Sequence, residues 1–384
     1  MIFKTKKKIY KSITTSTDLE KFVNEAMTHP WVGIDIEGNG FFRYPERVCL
    51  IQISLGDMPY IIDPLAIDNM DPLGFLLNDM DVVKILHSGD YDIRSLNRDY
   101  GFTFKNIFDT SISAAFLGSP KLGLDAILKE YINVVVSKDK NLQRSDWTNR
   151  PLSNEAIKYA ADDVRYLGQA RKVMTQQLEK RNRYSWVQEE FDRLSKIKFE
   201  IKDENQAFLN LKGSNILTEK ELPLLKRLYD LREDEAIGKD RPPFKIVSDS
   251  VLVSIAKDPK TDYVNIKGIG WWKRPDMKKR IKELVQKSKE DPPIRRPDKI
   301  RKAIYLSNKE REKANARFRE LKLWRKDIGD GLGLDPSLLW PTLSLKRLSK
   351  SPDSIQTEFQ DEIVRKWQVK EFGNDLTDQL NKSL

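Results

Sequence analysis

Short apolar runs alternate with amphipathic stretches up to about residue 175. Runs rich in β-branched residues predict strands at residues 31–36, 48–55, 59–62 and 82–86, the first two joined by a hairpin-like turn. Apolar residues at helical spacing predict helices at residues 18–27, 91–100, 111–117 and 124–131, and a longer helix after Ser153. This alternation predicts an α/β domain with a mixed sheet.

Small polar residues before three of these helices are predicted to cap them. They are Thr17 before the first helix, Asp109 before the helix at 111–117, and Ser153 before the long one. A side-chain oxygen at this position accepts a backbone N–H of the first turn.

The strand pattern ends near Asn205, and helical segments separated by Pro and Gly follow. This second part repeats itself at a shift of 93 residues, which predicts two copies of one small helical domain. Six identical pairs carry the repeat: Leu228/Leu321, Arg232/Arg325, Pro243/Pro336, Leu252/Leu345, Lys257/Lys350 and Pro259/Pro352. The Pro-rich stretch 291–297 is the predicted linker. We therefore expect domains at residues 1–200, 205–290 and 295–384.

The composition is that of a globular protein. Of the 384 residues, 39% are hydrophobic and 33% are charged, which excludes disorder and collagen. Apolar runs are much shorter than the ~18 residues of a membrane span. Lysines at positions 4 and 6–8 are followed by polar residues where a signal peptide would be apolar. We expect a cytoplasmic protein without a membrane partner.

Metal chemistry in this chain must rest on carboxylates. Cys49 is the only cysteine, so an internal disulfide and a thiolate zinc site are excluded. His29 and His87 are the only histidines, which excludes a His-rich zinc site.

The net charge of +10 lies entirely in the second half of the chain, since residues 1–200 hold 28 basic and 28 acidic residues. Residues 265–326 hold 22 basic and 8 acidic residues. Such a stripe is typical of a protein that binds a polyanion, because neutralising phosphates releases counterions. A set of solvated Lys-rich helix faces is the alternative.

Two acids project from an otherwise apolar predicted strand. Asp35 and Glu37 are two residues apart, so their side chains leave the same face. Neighbouring carboxylates that lose hydration need cations to neutralise them. The alternative is an exposed strand end at which both acids are solvated.

Two further fragments carry candidate acids. Asp90 and Asp92 lie where a strand turns into a helix, and Asp90 is either a helix cap or an additional acid. Tyr159 and Asp163 lie one turn apart on a helix, either as a structural hydrogen-bonded pair or as a phenol that orients a metal-bound water. Asp162 is expected to be a solvated neighbour.

Together the fragments supply four acids and one phenol. Oxygen-only ligands suit two divalent cations, Mg²⁺ or Mn²⁺, which bind phosphate oxygens well. Two such ions can activate a water and stabilise the leaving oxygen of a phosphoryl displacement. The residues therefore favour phosphodiester hydrolysis.

The same fragments resemble the three exonuclease motifs of the DEDD superfamily, in its DEDDy branch. That branch has a tyrosine four residues before the last aspartate, as Tyr159 stands before Asp163, whereas the histidine branch has His where this chain has Lys158. Segments 50–53, 62–65, 109–110 and 146–152 are similar to the ribonuclease D family in order and spacing.

The tail strengthens the resemblance. Residues 231–236 followed by Pro242 and Pro243 resemble the helicase-and-RNase-D C-terminal (HRDC) domain, and the copy around Trp324 resembles a diverged second one. The resemblance implies an α/β ribonuclease H-like exonuclease domain with a mixed sheet, followed by two all-α HRDC-type helical domains.

What the resemblance implies is a 3′→5′ exoribonuclease that releases nucleoside 5′-monophosphates from an accessible RNA 3′ end, with tRNA precursors as substrates and no requirement for an oligomer. It makes Tyr159 the residue that orients the attacking water and assigns four metal ligands: Asp35, Glu37, Asp92 and Asp163. Candidate substrate contacts are Phe41, Phe42, Arg43 and His87, because aromatic rings can stack on bases. Tyr44 follows in the same turn, and residues 41–44 either clamp the terminal nucleotides or pack that turn. The alternatives are a DNA 3′→5′ exonuclease, which differs only in contacts to the 2′-hydroxyl, and a non-catalytic RNA-binding scaffold.

Overall fold

The structure is a computed structural model that describes residues 10–137, 139–200, 203–297 and 306–382. The lysines at positions 4 and 6–8 lie outside the described residues, as do residues 298–305 of the basic stripe.

One six-stranded mixed sheet forms the centre of the α/β domain. Its spatial order is β1-β4-β3-β2-β5-β6, and β3 is antiparallel to both of its neighbours while the other pairs are parallel. The strands are β1 Lys11–Ile13, β2 Trp31–Gly38, β3 Val48–Leu55, β4 Met58–Ile62, β5 Val83–Leu86 and β6 Ile107–Asp109. The four predicted strands are confirmed. The two edge strands were not predicted, because three residues are too few for a pattern.

Nine helices accompany this sheet in the described residues. They are α1 Ser16–Ala26, α2 Asp71–Leu77, α3 Asp90–Tyr100, α4 Thr110–Leu117, α5 Leu124–Ile132, α6 Lys140–Gln143, α7 Asn154–Arg165, α8 Leu167–Lys180 and α9 Tyr184–Leu194. β3 is buried along its whole length, so helices cover both faces of the sheet.

Two of the three predicted caps are confirmed. Asp109 accepts the backbone N–H groups of the first turn of α4, and Ser153 accepts the N–H of Ala156 in α7. The prediction for Thr17 is wrong, because α1 begins at Ser16, two residues earlier than predicted, and Thr15 accepts the N–H of Asp18. Both threonines have a side-chain oxygen suited to a cap, and the extended backbone at Thr15 is what places its hydroxyl against the first turn.

Helices follow in two groups. The first helical domain contains α10 Glu204–Ala207, α11 Leu222–Lys239, α12 Pro243–Ile246, α13 Asp249–Lys257 and α14 Pro275–Lys287 around its own apolar cluster. The second helical domain contains α15 Asn308–Leu332, α16 Pro336–Leu339, α17 Thr342–Lys350, α18 Ile355–Phe359 and α19 Lys366–Lys382.

The two helical domains correspond at the predicted shift of 93 residues. Helices α16 and α17 begin and end 93 residues after α12 and α13. Arg232 donates to Asp249 at 2.7 Å, and the corresponding Arg325 donates to Thr342 at 2.9 Å. In both groups, therefore, an arginine at the corresponding position donates to the first residue of the corresponding helix, α13 or α17.

The second helical domain packs against the α/β domain through aromatic residues. The rings of Trp186 and Trp367 stack with centroids 4.7 Å apart, and Phe116 meets Trp367 edge-on. Arg365 also donates to Glu190 at 2.7 Å. No helix in the described part of the chain is both long and apolar enough to cross a membrane.

Candidate active site

Two acids near the carboxyl end of β2 form the centre of the candidate site. Asp35 and Glu37 project from one face of the sheet, opposite Gln52 and Leu50 of β3. Both carboxylates line a cavity of about 760 Å³ and are partly exposed to it.

Helix α7 approaches this face closely because residue 33 is a glycine. A Cβ at Gly33 would lie 2.5 Å from Ser54 Oγ and 3.0 Å from the carbonyl oxygen of Val164. The Ser54 hydroxyl donates to that same carbonyl at 2.9 Å. The close packing fixes the end of α7 against β2 and β3.

This packing brings a third acid to the first two. One carboxylate oxygen from each of Asp35, Glu37 and Asp163 lies within 4.8 Å of the others. Oxygen ligands at such separations fit a hard divalent cation. The structure therefore contains a carboxylate cluster of the kind that holds a metal ion.

Asp92 joins the cluster from the first turn of α3. It is buried, and its Oδ1 accepts the backbone N–H of Ile36 at 3.1 Å, between the two acids of β2. Asp90 instead lies on the exposed side of the helix and pairs with Arg94 at 2.6 Å. It is the first residue of α3 and follows Gly89 at the cap position, so the prediction of Asp90 as a cap is wrong.

The carboxylate of Asp162 takes part in ion pairs within α7. Its carboxylate pairs with Lys158 at 3.1 Å and with Arg165 at 3.3 Å on the outer side of α7. The prediction of a simply solvated neighbour is therefore wrong.

Burial and mutual repulsion disfavour ionisation of all four acids. Lost hydration raises the pKa of Asp35 well above its usual range, and the charge of Asp163 raises it further. Burial, with Asp35 as a neighbouring charge, also raises the pKa of Glu37 and that of Asp92. Burial raises the pKa of Asp163 to about 7, with contributions from Asp162 and Asp92. Such a cluster can be fully ionised near neutral pH only beside compensating cations.

Tyr159 completes the wall of the cavity one turn before Asp163. Burial, and then the charge of Asp163, raise the pKa of its phenol far above the usual range, so the hydroxyl remains a hydrogen-bond donor. Its ring packs beside buried Trp147, with centroids 6.4 Å apart. The phenol is therefore held in place by packing and not by an ion pair.

The four predicted substrate contacts separate into two groups. Phe41 lines the cavity and is 55% exposed, and His87 lines it while its Nδ1 lies 2.9 Å from the Thr110 hydroxyl. Arg43 instead forms ion pairs with Asp146 and Asp240, outside the cavity lining. Phe42 lies beneath Lys245, whose Nζ is 4.3 Å from the ring centroid.

The cavity has walls that the sequence did not predict. The Tyr91 hydroxyl donates to Glu46 at 2.6 Å, and both residues line the cavity, as does Arg144. Tyr91 is adjacent to a recognised motif and could have been found there. Glu46 and Arg144 lie in segments without periodic pattern, so only folding reveals that they face the acids.

Two known families match separate parts of the chain. The family described as "3'-5' exonuclease" matches residues 10–179. The family described as "HRDC domain" matches residues 221–285, within the first helical domain.

Curated relatives and solved structures cover most of the chain. A ribonuclease D of Desulfotalea psychrophila is 31% identical over 346 residues, which are 88% of this chain and 89% of the relative. A ribonuclease D of Zymomonas mobilis is 29% identical over 285 residues, 72% of each chain. The crystal structure of Escherichia coli RNase D matches with a TM-score of 0.72 and 23% identity over 97% of this chain and 99% of that one, a likeness of fold. The catalytic core of RRP6 from Trypanosoma brucei matches with a TM-score of 0.60 and 25% identity over 73% and 79%.

Proposed function

The chain belongs to the ribonuclease D family and is a 3′→5′ exoribonuclease, and we propose that it hydrolyses RNA at a site for two divalent cations. Four carboxylates hold these ions: Asp35, Glu37, Asp92 and Asp163. The observation that supports this most directly is the convergence of three of them to within 4.8 Å. All four belong to one polypeptide, so hydrolysis requires no oligomer.

The donor set suits Mg²⁺ or Mn²⁺, because the three converging ligand atoms are all carboxylate oxygens. When bound, such ions lower the pKa of the attacking water and stabilise the leaving oxygen. Asp92 holds its position through Ile36, and Asp163 through the packing of α7 on Gly33. The protonated phenol of Tyr159 donates a hydrogen bond that orients the water for attack on the last phosphodiester.

Among RNAs, tRNA precursors with extra 3′ nucleotides are the proposed substrates. The Escherichia coli enzyme of the same fold is described as "an exoribonuclease involved in structured RNA processing". In this chain the described residues of the basic stripe, 265–297 and 306–326, lie in and next to the two helical domains, where they can hold the body of a structured RNA. Phe41 and His87 would then contact the terminal nucleotide.

The proposed domains are residues 1–200, 205–290 and 295–384, with the last a diverged HRDC-like domain. The shared 93-residue register of α12/α16 and α13/α17 supports this reading of the second helical domain. The equivalent contacts of Arg232 and Arg325 support it independently.

Digestion of a 3′-extended tRNA tests the proposal. We expect stepwise shortening and release of 5′-monophosphates with Mg²⁺ or Mn²⁺, and none with a chelator or with Asp35→Asn. Faster cleavage of a DNA strand of matched sequence would favour the DNA exonuclease. Binding without any hydrolysis, under all metal conditions, would favour the RNA-binding scaffold.

A further inference from the structure

We propose that Tyr44 and the two carboxylates that hold it, Glu233 and Asp240, are positioning residues of the nuclease site. The first helical domain thereby sets the rate of hydrolysis for substrates too short to touch it. The proposal rests on the exonuclease activity described above.

The active-site loop, residues 39–47, follows directly from the strand that carries Asp35 and Glu37. Its base is closed by Asn39, which is buried and whose side-chain oxygen accepts the N–H of Arg47 at 2.7 Å. Gly40, Phe41 and Glu46 of this loop line the cavity. The conformation of the loop therefore determines the shape of one wall of the cavity.

The tip of the active-site loop is held by the first helical domain. The ring of Tyr44 packs against the apolar cluster of that domain, and its hydroxyl donates to Glu233 at 2.5 Å. Its backbone N–H donates to Asp240 at 3.1 Å, and the guanidinium of Arg43 donates to the same carboxylate at 2.9 Å. These contacts join residues almost 200 positions apart in the chain.

Tyr44 is the principal anchor among these contacts. The ion pair of Arg43 and Asp240 is open to solvent, with side chains 38% and 53% exposed, so its strength is limited by screening. The Tyr44 hydroxyl is half-buried and bonds to a carboxylate, which makes a stronger hydrogen bond. Its ring also loses apolar surface to the helical domain.

A second connection reaches the other side of the cavity. Arg43 also pairs with Asp146 at 3.2 Å, in the segment that precedes α7. The next residue is Trp147, which is buried against the ring of Tyr159. The helical domain is thus connected both to the wall beside Glu37 and to the support of Tyr159. Small displacements of such groups lower rates steeply, because hydrolysis depends on alignment of the reacting atoms.

The test compares Tyr44→Phe, Asp240→Asn and the double variant in the full chain on a trinucleotide RNA and on a 3′-extended tRNA. Phe keeps the ring in its pocket, and Asn tolerates the left-handed backbone at position 240, where φ is 47°. Lys226→Ala is the matched control, since it removes an exposed pair with Asp230 on the same helix.

We expect the double variant to lower kcat on the trinucleotide by on the order of tenfold with KM nearly unchanged, and the control to behave as wild type. An unchanged kcat on the trinucleotide, with a raised KM for tRNA alone, would overturn the proposal and make the domain a substrate holder only.

Hydrogen exchange gives a readout that does not depend on activity. The amide of Arg47 should exchange faster in the double variant than in wild type, at an unchanged midpoint of thermal unfolding. Equal exchange in the two proteins would contradict the anchoring. If wild type cleaves no RNA while exchange responds as expected, the proposed function fails and the anchoring stands.

Discussion

The Oδ1 atom of Asp92 accepts the backbone N–H of Ile36 at 3.1 Å. Ile36 lies between Asp35 and Glu37, so this hydrogen bond joins the second acidic motif to the first at its midpoint. One oxygen of Asp92 is thereby committed to the backbone, and the carboxylate is oriented before any ligand arrives. Such prior orientation reduces the reorganisation needed when a cation or substrate binds.

Replacing a clustered acid with its amide should separate hydrolysis from binding. We expect Asp35→Asn or Asp163→Asn to lower kcat by about 10³-fold or more, because a neutral amide is a weak ligand for a hard cation. RNA affinity, measured by filter binding in a chelator, should stay within a few-fold because the basic helical domains remain. Full activity of either variant would contradict the assignment.

Tyr159→Phe should affect the chemical step alone. The ring keeps its packing on Trp147, while the hydrogen bond to the water is lost. We expect a decrease in kcat of roughly 10²-fold with an unchanged KM and unchanged metal affinity. Single-turnover rates and calorimetric titration with Mn²⁺ measure the two quantities. A loss of Mn²⁺ binding would instead make the phenol a structural support of the cluster.

The raised pKa of Asp163 makes the stability of the metal-free protein depend on pH. Folding raises this pKa from 3.8 to about 7, so the fold favours the protonated acid. That contribution is fully present below pH ~4 and is lost as pH rises through ~7. Asn mimics the protonated acid, so Asp163→Asn in a chelator should match wild type only near pH ~3.5, below the unfolded pKa. At pH 8 we expect the variant to be more stable by at least ~1 kcal/mol.

Thermal unfolding at both pH values measures this difference. Saturating Mg²⁺ should reverse it at pH 8, because the cation neutralises the ionised cluster of wild type only. A wild type that is the more stable protein at pH 8 without metal would show that the acids do not repel one another.

Gly33→Ala should damage the site from a position that touches no substrate. The new methyl group would meet Ser54 and the carbonyl of Val164, and so push α7 and Asp163 away from β2. We expect a loss of about 2 kcal/mol in stability and a strongly weakened Mn²⁺ affinity. Gly331→Ala is the control, because nothing lies within 4 Å of its added Cβ. Equal Mn²⁺ affinities of the two variants would mean that the helix tolerates the shift.

Charge removal on α14 should reduce the salt dependence of RNA binding. Lys278, Lys279 and Lys282 are exposed on this helix of the first helical domain. Changing all three to Gln should reduce the magnitude of the slope of log affinity against log salt by about 2 to 3, if each lysine neutralises one phosphate of the tRNA. Three exposed lysines of the α/β domain, Lys21, Lys172 and Lys180, provide the control. An unaltered slope would show that the RNA does not bind to the lysines of α14.

Sequence patterns located most of the α/β domain and its acids. The strands were predicted within two residues at each end, since a buried strand needs a continuous apolar run whatever surrounds it. The spacing of Asp35 and Glu37 likewise placed both on one face of a strand. The predictions that failed concern helix starts, such as Thr15 instead of Thr17 as the cap of α1 and Gly89 instead of Asp90 before α3, which depend on packing rather than on residue type.

The sequence by itself determined the order of helices and strands and the oxygen-only chemistry, because periodicity and side-chain type act locally. Only the tertiary structure decided which acids meet and where Phe42, Arg43 and Tyr44 lie. The sequence offered these three residues as contacts to the terminal nucleotides, and in the folded protein they contact a helical domain about 200 residues away. Such contacts depend on how distant elements pack, and no local pattern of hydrophobic and polar residues records that packing.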